Sequence, residues 1–353
     1  QRSGDWTVGH RRWKMGRMQD RLVFLIGAPR SGTTLLARML SAHSAVYGRA
    51  EPHLITPIAH LGYFGNVQKA PYDPFNAEQA IKEVVGEIPR GEAGYLDALR
   101  AYTDSLYGQM MEAAPEGARF FLDKTPAYAL VLPFLTKLYP AAKYVVLTRH
   151  PLAVLSSYAE SFFDGDYEVA LGHNPILDRY VPALAEMVRD RPVEHVWVKY
   201  EELVKDPEAH FRRVCEHLGV PFEESAISYG DSGQAFKGLG DPTTVHKHSR
   251  PVTSSVAKWA TEIATAPKVL DLVSKQLDRL ADEDLETLGY PKGTIKEQLE
   301  AAKGGPVPVK SQGPLRYRME RKLLVTLRRN IHENALGRVL KRLKFALDVL
   351  LRE

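Results

Sequence analysis

Apolar residues in this chain gather into short, unbroken runs separated by amphipathic stretches. Leu22-Val23-Phe24-Leu25-Ile26 is the first run, and it ends at Gly27. A run of that length, apolar throughout, reads as a strand buried on both faces of a sheet. Arg119-Phe120-Phe121-Leu122, Lys143-Tyr144-Val145-Val146-Leu147-Thr148 and His195-Val196-Trp197-Val198-Lys199 repeat the pattern. A helical stretch follows each one. Leu35, Leu36, Met39 and Leu40 mark the first, and about Ala127 to Tyr139 the second. The third opens near Pro151, a residue suited to a first helical turn, and the fourth covers about Pro207–Leu218. Strands alternating with helices predict an α/β fold, a doubly wound parallel sheet flanked by helices with right-handed crossovers.

The character changes over residues 54–117, which begin rich in Pro, Gly and Tyr and become helical around Ala77–Val85 and Tyr95–Met111. They read as a helical insertion on the acceptor side of a site. Tyr63, Phe64, Tyr72, Phe75, Tyr95, Tyr102 and Tyr107 either grip an apolar or elongated molecule there or pack a lid. Lys303 to Pro314 has linker composition. Beyond it Leu336, Val339, Leu340, Leu343, Leu347 and Leu350 share one helical face, edged by Arg338, Lys341, Arg342 and Lys344. The organisation expected is an extension over 1–20, a main domain over 21–298, a linker over 299–314 and a basic amphipathic helical tail over 315–353.

Composition narrows the options. At 353 residues, 44% hydrophobic and 25% charged, the chain suits one large α/β domain plus an appendage. It has no apolar run of about 18 residues, so no transmembrane segment is expected. Residues 1–20 lack the apolar centre of a signal peptide. Opening on Gln1 rather than Met is what a processed chain, or a domain cut from a longer one, would show. The net charge of +4 is uneven: from Leu315 to Glu353 eleven Lys/Arg face four Asp/Glu, which leaves the remainder slightly acidic. The main domain is therefore not expected to bind nucleic acid or polyanions in general. The single cysteine, Cys215, sits near the apolar face of an amphipathic stretch and reads as a packing thiol. With no second thiol there is no internal disulfide, and a reducing, cytoplasmic setting is expected.

The chemistry begins at Gly27-Ala28-Pro29-Arg30-Ser31-Gly32-Thr33-Thr34, between a buried strand and a helix start. Backbone N–H groups at a helix start are unpaired, and the helix dipole favours an anion there. Gly32 lets the backbone approach a ligand, and Ser31, Thr33 and Thr34 add hydroxyl donors. This is a P-loop-type arrangement, with the spacing of a nucleoside-triphosphate loop but Thr33 where that loop has its lysine. The substitution points to a ligand with one phosphate group at this spot and no bound magnesium. Arg30 offers a forked contact to a phosphate or sulfonate instead.

These residues resemble the sulfotransferase family that uses 3′-phosphoadenosine 5′-phosphosulfate (PAPS), and the resemblance runs from about Leu22 to Trp259. Pro29-Arg30-Ser31-Gly32-Thr33-Thr34 is similar to the family's 5′-phosphosulfate loop, in the form of tyrosylprotein and many bacterial enzymes. Val145-Val146-Leu147-Thr148-Arg149-His150-Pro151, continuing to Ser157, resembles the block whose arginine and serine hold the 3′-phosphate; Arg149 and Ser157 take those positions. Val198-Lys199-Tyr200-Glu201-Glu202-Leu203 resembles a further block, which implies Tyr200 near the adenine or, equally, a core tyrosine at a strand end. His248-Ser249-Arg250-Pro251-Val252 through Lys258-Trp259 resembles the final cofactor-closing loop, with Arg250 and Lys258 as its contacts.

For catalysis, Glu51 in Glu51-Pro52-His53 resembles the catalytic glutamate of tyrosylprotein sulfotransferases, and the Glu-x-His pattern resembles sulfotransferase domains of polyketide synthases. Glu51 is the expected base, with His53 as an assistant or acceptor contact. Lys124 in Asp123-Lys124-Thr125-Pro126 resembles the family lysine that stabilises the leaving oxygen. The resemblance implies PAPS as donor, adenosine 3′,5′-bisphosphate as product, a hydroxyl acceptor and no metal. The favoured acceptor is a small molecule or a carrier-tethered hydroxyacyl chain, with an acyl carrier protein as partner. Ser161 stands where tyrosylprotein enzymes use another arginine, which counts against a protein tyrosine acceptor. His246 and His248 have no nearby acid or cysteine in sequence and do not read as a metal pair. Two rival readings are a P-loop nucleotide kinase or hydrolase, and a non-catalytic docking domain of a larger synthase.

Overall fold

The structure, a computed structural model, describes residues 18–61, 63–64, 74–228, 250–253 and 256–304, with side chains of 74–76 excepted. Tyr72, the Phe75 side chain, His246, His248 and the tail over 315–353 lie outside the described residues.

Five parallel strands form one sheet in the order β2-β3-β1-β4-β5. They are β1 (Leu22–Ile26), β2 (Val46–Ala50), β3 (Phe120–Lys124), β4 (Lys143–Thr148) and β5 (His195–Lys199). Helix α1 (Thr33–Ala42) links β1 to β2. Helices α2 (Ile55–Ala59), α3 (Pro74–Glu87) and α4 (Gly91–Glu112) precede β3, and α5 (Leu132–Leu138) precedes β4. Helices α6 (Pro151–Phe163), α7 (Tyr167–His173) and α8 (Ile176–Asp190) lie between β4 and β5. Then come α9 (Tyr200–Lys205), α10 (Pro207–Leu218), α11 (Lys258–Ala264), α12 (Pro267–Arg279), α13 (Asp282–Thr287) and α14 (Lys292–Ala302).

Strand alternation sorts the core into two layers. Leu22, Phe24 and Ile26 of β1 face one layer with residues of α4, α5, α6 and α8, whereas Val23 and Leu25 face α1 and α10 on the other side. Every β1 residue is buried, as its unbroken apolar run predicts. The chain leaves β1 toward one edge of the sheet and β4 toward the other, opening a crevice at their carboxyl ends, where open α/β sheets bind ligands.

Four departures from the sequence reading have physical causes. Strand β2 lacks an apolar run because it is an edge strand: Val46 and Ala50 are buried, but Arg49 faces solvent. Strand β3 runs two residues past Leu122, so Lys124 ends the strand rather than following it. The helix expected over 127–139 is a 3-10 segment, Pro126–Val131, followed by α5; Pro133, in the first turn of α5, cannot donate a backbone hydrogen bond. The folded body also exceeds the expected 21–298. Met18 is buried in the core, and α14 reaches Ala302 with Leu299 buried. Among the described residues no helix is long and apolar enough to cross a membrane.

Candidate active site

The loop after β1 turns on two left-handed residues, Arg30 (φ +69°) and Gly32 (φ +97°). Gly32 is the N-cap of α1, and no side chain caps that helix. Leu36 N–H bonds to Gly32 O at 3.2 Å, so the first-turn amides before it are presented toward the crevice. Ser31 Oγ is fully buried without a hydrogen-bond partner, and Ser31 lines a small cavity with Thr148, Arg149 and Tyr180. A buried hydroxyl left unsatisfied beside an uncapped helix start suits an anion carrying several acceptor oxygens.

The second anion-binding group expected from sequence converges on this loop. Arg149, just past β4, donates from Nη1 to Arg30 O at 3.0 Å. Arg30 in turn donates from Nε to Ser157 Oγ in α6 at 3.2 Å. Arg30, Arg149 and Ser157 are thus linked by hydrogen bonds that tie the loop to the turn after β4 and to α6. Burial lowers the Arg149 pKa, an effect opposed by the nearby Tyr200 and Glu201. Tyr200 begins α9 and is buried; the Arg149 guanidinium lies 4.5 Å from its ring centroid, a cation–π contact.

The catalytic candidates meet at the adjoining strand ends. The register of β2 on β3 sets Ala50 against Lys124, which brings Glu51 beside the lysine. Lys124 Nζ, almost wholly buried, donates to Glu51 Oε1 at 2.7 Å, and Glu51 N–H donates to Lys124 O at 2.9 Å. His53 Nε2 stands 4.0 Å from Glu51 Oε2, while its Nδ1 lies 3.2 Å from Thr56 Oγ1. Glu51 and His53 both have left-handed backbones, φ +50° and +53°. Non-glycine residues adopt that conformation at a cost on the order of 1–3 kcal/mol, and such strain clusters at functional sites.

The two remaining candidates lie farther out. Arg250 is exposed and donates to Ser228 Oγ at 3.0 Å. Lys258, also exposed, pairs with Glu262 at 2.7 Å; Glu262 in turn accepts from Ser156 Oγ at 2.5 Å. Lys258 is therefore tied to the residue preceding Ser157, whereas Arg250 bonds to the segment that follows α10.

Sequence reasoning missed two supporting carboxylates. Glu201 accepts from His150 N–H at 2.9 Å and from Tyr290 OH at 2.8 Å, fixing the turn that carries Arg149. Asp123 is completely buried next to Lys124 and accepts from Tyr107, Tyr128 and Thr125. The only sequence signal for either was an acid adjacent to a residue already singled out. Among the described residues no group of three or more His, Cys, Asp or Glu side chains is arranged to hold a metal ion.

"Nodulation protein NoeE" of Sinorhizobium fredii is 30% identical over 300 residues, covering 76% of this chain and 66% of that protein. "Protein-tyrosine sulfotransferase 2" of Gallus gallus is 25% identical over 278 residues, covering 76% of this chain and 66% of that one. The chain thus spans slightly less than two thirds of the length of these relatives. The solved sulfotransferase domain of the Synechococcus PCC 7002 olefin synthase is 25% identical with a TM-score of 0.47, over 67% of this chain and 86% of that one. Residues 23–224, more than half of the chain, match the family model described as "Sulfotransferase family" and span both the anion-binding loop and the Glu51–Lys124 pair, so the chain belongs to the sulfotransferase family.

Proposed function

We propose that this protein transfers the sulfonate of PAPS to a hydroxyl on an acceptor by in-line displacement, with Glu51 as general base. The observation that carries this reading is the 2.7 Å contact between Glu51 and buried Lys124, at the strand ends adjoining the uncapped loop. PAPS supplies a sulfonate activated by a phosphate leaving group; positioning, proton removal and charge stabilisation fall to the protein. Pro29, Arg30, Ser31, Gly32, Thr33 and Thr34 hold the phosphosulfate end, and Arg149 and Ser157 hold the 3′-phosphate. Tyr200 flanks the nucleotide, and Arg250 and Lys258 contribute from the outer side.

Glu51 takes the acceptor's proton, and His53 assists from its 4.0 Å position. Lys124 holds the Glu51 carboxylate in place and then serves the leaving oxygen as negative charge develops there. An ammonium this deeply buried acts in a low-dielectric surrounding, where its attraction for that oxygen is strongest. The acceptor we favour is a small molecule or a carrier-tethered hydroxyacyl chain, the latter with an acyl carrier protein as partner; the Glu51-x-His53 pattern is the support for this. Cys215, buried and free, is the ground for assigning a reducing, cytoplasmic setting.

The test is Glu51→Gln assayed with radiolabelled PAPS and a panel of hydroxyacyl carriers, sugars and phenols. The expected loss in kcat is about 10²–10⁴-fold, with the affinity for adenosine 3′,5′-bisphosphate unchanged. Full turnover by the variant would refute the base assignment. Stabilisation of the protein by ATP–Mg²⁺ but not by adenosine 3′,5′-bisphosphate would refute the donor.

A further inference from the structure

The segment that carries Glu51 and His53 is fastened at two points, one on β3 and one on the 3-10 segment that follows it. Its first anchor is the Glu51 N–H bond to Lys124 O. The second is four residues on, where Ile55 N–H donates to the Tyr128 hydroxyl at 3.1 Å. That hydroxyl in turn donates a hydrogen bond to Asp123 Oδ2 at 3.0 Å. Asp123 Oδ2 also accepts from Tyr107 OH at 2.7 Å, and Oδ1 accepts from Thr125 Oγ1 at 2.8 Å. Of the two left-handed residues, Glu51 carries the first anchor and His53 falls between the two.

This arrangement has a mechanical meaning. A strained loop relaxes unless the surrounding structure fixes its ends. The Glu51 anchor comes from strand pairing and is independent of side chains. The Ile55 anchor is a single phenol, and that phenol is aimed by a buried carboxylate directly adjacent to Lys124. Tyr128 and Tyr107 are both buried, and both lie about 6 Å from the Phe24 ring (6.2 and 6.5 Å between centroids). They thus share the same packing and the same carboxylate, but it is the Tyr128 hydroxyl that accepts from the loop.

We infer that Asp123 and Tyr128 are positioning residues for sulfonate transfer, a relay that holds the Glu51–His53 segment in its strained conformation through the Ile55 amide. Neither touches the reacting atoms; they act by fixing where Glu51 stands relative to Lys124. Displacing a catalytic group by about 1 Å is enough to cost on the order of 100-fold in rate. The inference rests on the assignment of Glu51 as base, so its test carries a readout that does not depend on that assignment.

The experiment compares Tyr128→Phe with Tyr107→Phe in the full chain, with Glu51→Gln alongside. Each tyrosine variant loses one hydroxyl donated to Asp123, but only Tyr128→Phe frees the Ile55 amide. Expected in Tyr128→Phe are a kcat lower by about 10-fold or more, an almost unchanged KM for PAPS, and faster amide hydrogen exchange over residues 51–56. Tyr107→Phe should stay within about 3-fold of the parent in kcat and leave that exchange unchanged, whatever it does to Tm. Equal exchange in the two variants, or equal kcat losses that track Tm, would overturn the relay. A fully active Glu51→Gln would instead overturn the base assignment, and the exchange comparison would still decide whether Tyr128 holds the loop.

Discussion

The ring of Tyr200 rests so closely on Gly32 that a β-carbon added there would lie 2.7 Å from Tyr200 Cε2, and nearer still to Cδ2. Gly32 also has φ +97°, so an alanine would carry backbone strain besides the overlap. Because the same ring supports the Arg149 guanidinium, moving Tyr200 aside would disturb the second anion-binding group as well. Gly32→Ala is therefore expected to weaken adenosine 3′,5′-bisphosphate binding by about 10-fold or more, roughly 1.4 kcal/mol or above. Isothermal titration measures this directly, and wild-type affinity would show that the loop does not hold the nucleotide.

The 3.2 Å bond from Arg30 to Ser157 predicts that these two residues are not independent contributors to binding. In a double-mutant cycle with Arg30→Ala and Ser157→Ala, the losses in adenosine 3′,5′-bisphosphate affinity should fail to add, with a coupling of about 0.5–3 kcal/mol. Strict additivity would mean that the loop and the helix bind separate phosphates without assistance from each other.

Lys124 is expected to matter for rate far more than for affinity. Replacement by methionine preserves much of the buried volume and removes the ammonium. The expected drop in kcat is about 10²–10³-fold, the range for losing one charge-stabilising donor, with product-nucleotide affinity changed by less than about 3-fold. A variant that turns over normally but binds nucleotide poorly would reassign Lys124 to ground-state binding.

Much of this site was legible in the sequence because its parts sit at the ends of central strands. Strands β1 and β4 are buried on both faces, so they appear as unbroken apolar runs; the loop that holds Gly32 opens at the end of β1, and Arg149 follows directly after β4. Strand β2 was not legible, since an edge strand with an exposed arginine has no apolar signature. The meeting of Glu51 with Lys124 depends on the β2–β3 register, which no local pattern encodes. Asp123 escaped notice for a related reason: a carboxylate beside a lysine reads as solvated until its burial is known. Its partner Tyr107 looked like part of an acceptor-side insertion, yet it is fully buried in the main core. Aromatic content alone does not separate a gripping surface from a packed one.

Two buried groups give opposing pH dependences that substitution can separate. Burial raises the Asp123 carboxyl from its ordinary 3.8 to about 6, although the hydroxyls of Tyr107, Thr125 and Tyr128 and the charge of Lys124 pull the other way. Between those values the native state keeps a proton that the unfolded chain has released, so this contribution to stability falls as pH rises and levels off above about 6. His150 is stacked 4.0 Å from Trp259, and burial lowers its pKa from 6.5 to about 3, with the Arg149 charge adding to the effect. Here the unfolded chain binds the extra proton, so stability is lost as pH falls below 6.5 toward about 3. From pH 6 to pH 4 the two slopes, each of about 1.4 kcal/mol per unit at most, nearly cancel in the parent protein. His150→Phe keeps an aromatic ring against Trp259 and removes one slope. Relative to the parent it should gain stability on acidification by up to about 3 kcal/mol across that window, whereas Asp123→Asn should lose a similar amount. Urea unfolding of the parent and each variant at pH 4, 5 and 6 reads the differences, and parallel stability curves would show that neither group is titrated as its burial requires.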